Sequence, residues 1–141
     1  RRLEFFNSPN FIPIMVWLLS SLRKKFFRWF DSGDVQDVFM ALNILEVCRL
    51  TPNIKHWIPS KEYKIWRQAL KIQKLPDNVV LRMSSPNIDQ EPLKEFQNTS
   101  TVHKNKKAFG LECIAYKQDG KCLDCKACYN PKIKNISYPL H

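Results

Sequence analysis

At 141 residues, with 44% apolar and 12% aromatic side chains, the chain carries the apolar content of one folded core and excludes a disordered tail. Its formal charge of +10 favours an anionic partner such as nucleic acid, phosphate or an acidic protein, with a solvated lysine-rich surface as the plainer alternative. The apolar run Phe11–Leu22 is too short to span a bilayer, contains Pro13 and is followed rather than preceded by basic residues, which excludes a membrane span or secretory signal. The reading is therefore a cytoplasmic protein with no membrane partner.

The chain opens at Arg1, without an initiator Met, within what reads as a charged helix end, and a fragment is expected. Ser8-Pro9 has the form of an N-cap and first helical position. Phe11, Ile14, Met15, Leu18, Leu19 and Leu22 then recur at helical spacing. Phe26–Phe30 reads as a strand, broken by Asp31-Ser32-Gly33-Asp34, which offers caps for the next helix. The apolar face of that helix is Val35, Val38, Phe39, Leu42, Leu45 and Leu50, and Thr51-Pro52-Asn53 ends it.

The pattern repeats: Ile54–Ile58 is a second strand closed by Pro59-Ser60-Lys61, and a helix follows through Tyr63, Ile65, Trp66, Ala69, Leu70 and Ile72. Leu75-Pro76-Asp77 stops it, and Val79–Met83 reads as a third strand ending in Ser84-Ser85-Pro86. Repeated strand–turn–helix implies an α/β fold of βαβ units with a parallel sheet, like part of a β/α barrel. The expected organisation is an α/β core over 1–86, a polar loop with little regular structure over 87–108, and a Cys-rich metal-binding segment over 109–141 packed on the core. An extended tail runs over Ile133–Leu140.

Cys113, Cys122, Cys125 and Cys128 carry the strongest chemical signal. Two consecutive Cys-x2-Cys steps place sulfurs a coordination sphere apart with little intervening chain, and they resemble ferredoxin iron–sulfur spacing. Structural zinc more often uses two separated knuckles, so a [4Fe–4S] cluster is the first reading and Zn²⁺ the alternative. Gly120 suits a turn returning Cys113 to the other three, and Lys117, Lys121 and Lys126 interleave with the thiols. Cys48, within Val47-Cys48-Arg49, reads instead as a small core residue. His56, inside an apolar strand, reads as a core histidine, and the terminal His141 as a frayed end or a group beside the cluster.

Ligand groups of parallel α/β folds gather at the carboxyl ends of strands. Asp31, Asp34, Lys61, Glu62, Arg82 and Ser84 stand at those ends and would suit an anionic, hydroxyl-bearing ligand; the helix-capping role of Asp31, Asp34 and Ser60 competes with this. Lys104, Lys106, Lys107, Lys132 and Lys134 would make phosphate contacts if the chain binds nucleic acid.

In order, Phe27–Asp34, Thr51–Glu62, Val80–Ser84, Cys122–Tyr129 and Asn135–His141 resemble the gene product 88 family of phage and bacterial proteins. The resemblance implies architecture more than activity. Family members usually carry an upstream Cys-rich segment that does not occur here. Analogy with related phage families implies a radical S-adenosylmethionine-like enzyme acting on a polar substrate, with S-adenosylmethionine as a second cofactor by that analogy alone. The other reading is a non-enzymatic zinc or iron–sulfur module that binds nucleic acid.

Overall fold

The computed structural model describes residues 2–140. The chain divides into two compact units, the first Arg1–Ile58 with Glu62–Val79 and the second Pro59–Lys61 with Val80–His141. Helices α1 (Arg2–Phe6), α2 (Phe11–Ser21), α3 (Val38–Arg49) and α4 (Tyr63–Ile72) alternate with strands β1 (Phe26–Arg28), β2 (Lys55–Ser60) and β3 (Val79–Ser84). Strands β4 (Asn98–His103), β5 (Leu111–Glu112) and β6 (Asn135–Pro139) complete a six-stranded sheet ordered β1-β2-β3-β4-β6-β5. Every pairing with a described register is parallel, as the repeated strand–helix pattern requires. No helix of the described residues is long and apolar enough to cross a membrane.

The first unit is built by apolar periodicity. Helix α3 buries Met40, Ala41, Ile44, Leu45, Val47 and Cys48, and packs against α2 and α4. Trp66 and Ala69 of α4 and Phe11 and Leu19 of α2 are buried as well. Burying a side chain of the larger kind stabilises the fold by roughly 1.5–3 kcal/mol. Phe11 stacks near Phe6, with ring centroids 4.9 Å apart, and near the buried Trp29.

Polar residues close the ends of these elements. Asp37 Oδ1 accepts the Met40 N–H at 2.7 Å and caps α3. The expectation that the Asp31–Asp34 turn caps this helix is corrected: α3 starts at Val38, and Asp34 instead accepts from the adjacent Val35 N–H. Likewise Ser8-Pro9 precedes rather than opens α2, whose N-cap is Asn10. The amide of Asn78 donates to the carbonyls of Cys48, Thr51 and Ile54, satisfying groups that the end of α3 leaves without helical partners.

His56 sits wholly buried among these elements, as its place in an apolar strand implied. Its Nδ1 accepts from Trp29 Nε1 at 3.1 Å, and Nε2 lies 2.9 Å from Thr51 Oγ1, which donates to the Val47 carbonyl. Trp29 can only donate, so the ring proton belongs on Nε2. Burial pushes its pKa down to about 4, and Cys48, equally buried, is pushed up by desolvation.

The second unit corrects the expectation of an unstructured loop over 87–108. Asn98–His103 forms β4, paired on one side with β3 and on the other with β6. Asn98, Thr99, Ser100 and Thr101 are all buried. Their polarity concealed the strand, because alternation of apolar and polar residues is the usual signal. Hydrogen bonds replace apolar contact here. Thr99 donates to Asn135 Oδ1, Asn135 donates to Thr101, and Thr101 donates to Ser137. The β-branched Thr99, Thr101 and Val102 still favour extended backbone.

Candidate metal centre and strand-end groups

The cysteines lie in the second unit. Cys113 follows β5 directly, and its N–H donates to the Ser137 carbonyl at 2.8 Å. The chain then turns through a short 3-10 helix, Ala115–Gln118, and through Asp119 and Gly120, both with positive φ. Gly120 thus lies in a turn between Cys113 and Cys122. Cys122 and Cys125 are exposed and bracket a tight turn, in which the Cys125 N–H donates to the Cys122 carbonyl. Leu123 inside that turn holds φ +48, an uncommon value for a non-glycine residue, and is 64% exposed.

Cys128 is half-buried in a second 3-10 helix, Ala127–Tyr129, with its sulfur 3.6 Å from Tyr138 Oη. Burial pushes its pKa up; hydrogen bonding from Tyr138 and the charge of Arg82 oppose that, while Cys113 and Cys122 add to it. Cys113, Cys122 and Cys128 therefore share one electrostatic neighbourhood. Tyr138 is pushed up as well, first by burial and then by the Cys128 charge. A cleft of about 430 Å³ opens beside them, lined by Cys113, Ala115, Tyr116, Gly120, Tyr138 and Pro139. Among the described residues no three ligand-type side chains stand together as a formed metal site. His141 lies outside the described residues.

Arg82 was expected at a strand-end rim, and its side chain goes elsewhere. It is fully buried. Nε donates to the Cys128 carbonyl; Nη1 faces those of Ile133, Thr99 and Lys134; Nη2 donates to those of Ala127 and Asn130. The guanidinium thus organises the 127–134 segment that carries Cys128. Its positive charge meets no carboxylate among the described residues, and burial lowers its pKa. A buried cation surrounded only by carbonyl oxygens needs a nearby anion to offset its desolvation.

The other strand-end candidates fall into separate settings. In the first unit, Asp31 and Asp34 border a cavity of about 700 Å³ with an apolar floor of Leu3, Phe5, Phe6 and Phe30. Asp31 is almost fully exposed and pairs loosely with Arg28 at 3.8 Å. Asp34 and Glu62 both raise the Tyr63 phenol, after burial, so these three groups are brought together. In the second unit, Ser84 Oγ lies 2.8 Å from Ser100 Oγ. Lys61, just past β2, is exposed. Lys104, Lys106 and Lys107 are exposed on a segment whose 104–106 amides donate to Asp89, and those bonds hold the Asp89 carboxyl below its usual range.

Sequence reading missed one polar constellation. Ser137 Oγ lies 2.7 Å from His103 Nδ1, and His103 Nε2 lies 3.4 Å from Glu112 Oε1. These residues come from β6, β4 and β5, so no local motif announces them; only sheet register does. Ser137 is wholly buried, which makes it a link in the Thr99–Asn135–Thr101 hydrogen-bond chain rather than a nucleophile.

The family model described as Gene product 88 matches residues 2–136, a span that includes all four clustered cysteines and Arg82. No curated protein and no solved structure matches the chain.

Proposed function

We propose that this chain, which belongs to the gene product 88 family, is a metalloprotein whose Cys113, Cys122, Cys125 and Cys128 thiolates hold a [4Fe–4S] cluster, with Zn²⁺ as the alternative occupant. The observation that carries this reading is Arg82. A guanidinium buried without a carboxylate partner, bonded through main chain to the segment bearing Cys128, fits beside a centre of net negative charge. Four thiolates around a dipositive ion or cluster supply about two negative charges. The strained, exposed Leu123 turn fits a loop whose geometry a bound ion completes.

In this reading Arg82 positions Cys128 and offsets the charge of the thiolates. Tyr138 Oη, 3.6 Å from Cys128 Sγ, donates a hydrogen bond to that sulfur and favours its thiolate form. When bound, a [4Fe–4S] cluster supplies one-electron transfer; zinc would supply folding energy alone. Four thiolates leave no iron open to S-adenosylmethionine, so in an enzyme of the radical S-adenosylmethionine kind this cluster would be auxiliary or structural.

Anaerobic purification decides the matter. The expected product is brown, with iron and acid-labile sulfide in equal amounts. A colourless protein with one zinc per chain selects the alternative, and protein with neither metal overturns the reading. Cys125→Ser is expected to lose the metal and the order of the C-terminal segment; unchanged metal content would reject the ligand assignment.

A further inference from the structure

In the first unit, away from the cysteines, the amino ends of β1 and β2 frame a cleft of about 640 Å³. Arg23, Lys24, Lys25 and Lys55 line it, and no acidic residue does. All four are exposed, and none forms an ion pair with a carboxylate among the described residues. The Lys55 N–H donates to the Lys25 carbonyl at 2.8 Å, which fixes these two cationic positions side by side across the strand pair.

One feature tempers the charge of this cleft, and another argues that it is built rather than a scatter of lysines. Helices α2 and α3 end at the cleft, and each carboxyl end carries roughly half a negative charge, so together they offset about one of the four cations. The remaining positive charge is unanswered. The turn after α2 also places Arg23 at φ +49, a position where glycine is usual. A left-handed arginine costs about 1 kcal/mol relative to glycine, and here it brings three consecutive cations to one concave wall. Phe26 and Leu50 add apolar surface beside them.

We propose that this cleft binds a phosphate-bearing nucleotide, free or as a unit of a single strand. Arg23, Lys24, Lys25 and Lys55 hold its phosphates, and Phe26 and Leu50 meet its base. The proposal is independent of the metal centre. It also differs from contact through Lys104, Lys106, Lys107, Lys132 and Lys134, because it requires a concave site.

The test titrates the full chain with a nucleoside triphosphate and, separately, with a fluorescent single-stranded oligonucleotide at about 50 and 200 mM salt. At least one should bind, and for the strand log affinity should fall with log salt at a slope of about −3 if all four cations contact phosphate. Whichever probe binds identifies the source of the phosphate. The double variant Lys24→Gln/Lys55→Gln should weaken binding about tenfold or more and flatten the salt slope by about half. Lys132→Gln/Lys134→Gln should leave affinity within about twofold. Both pairs are exposed, and circular dichroism checks their folding. Absence of binding to either probe, an unchanged affinity in the cleft pair, or equal weakening in the control pair overturns the proposal.

Discussion

The two units bury very different chemistry. In the first, the interior is Phe11, Leu19, Ile44, Leu45, Ile58, Trp66 and their neighbours, with His56 and Thr51 as polar inclusions. In the second, Arg82, Asn98, Thr99, Ser100, Thr101, Asn135 and Ser137 are buried beside a smaller apolar set of Val80, Leu81, Met83 and Ile136. Hydrophobic burial is non-directional and spreads its effect over many contacts. A buried polar network depends on each partner being present, because an orphaned group incurs the whole desolvation penalty. The first unit should therefore soften gradually under mutation, and the second should fail at single polar residues.

Arg82→Met tests this contrast where the expected effect is largest. The substitution keeps apolar bulk but removes every bond from the guanidinium to the 127–134 carbonyls. Leaving buried carbonyls without a donor costs on the order of 1–3 kcal/mol each. The denaturation midpoint should fall accordingly, and amide exchange over 127–134 should accelerate. Unchanged protection of those amides would break the contrast between the units.

The first unit's own polar inclusion comes next. His56 has an ordinary pKa of 6.5 and is lowered to about 4 by burial in the folded state. The unfolded chain therefore binds the proton first, and stability is complete above about pH 6.5 and lost as pH falls toward about 4. The shift corresponds to about 3 kcal/mol. Urea unfolding of the wild type and of His56→Asn across this window measures it as the difference in slope. Equal slopes would show that the buried imidazole does not control the response.

The smallest effect sits at a helix end. Asp37→Ala removes the acceptor for the Met40 N–H and should lower stability by about 1 kcal/mol. Asp34→Ala leaves that cap intact and should cost less. Reversal of this order, read from thermal midpoints, would move the start of α3 back to the position that the sequence suggested.

Legibility followed the same division. The strands at Phe26, Lys55 and Val79 and the helices between them were readable because apolar residues recur at the periods that buried strands and helices require. β4 was not, because Asn98-Thr99-Ser100-Thr101 has no apolar alternation and its burial is satisfied by partners more than thirty residues away in β6. The thiol set was visible from spacing. Arg82, which the sequence places at a rim, is instead buried among carbonyls that lie 17 to 52 residues downstream.

Sequence alone determined the family, the parallel α/β character and the spacing of the four clustered thiols, because each is written in local spacing or periodicity. Tertiary structure alone decided that β4 is a central strand, that Ser137, His103 and Glu112 meet, and that four cations share one cleft. The physical reason is reach. Helix and strand periods act over a few residues, whereas hydrogen-bond satisfaction and charge compensation are settled between segments that only the folded chain brings together.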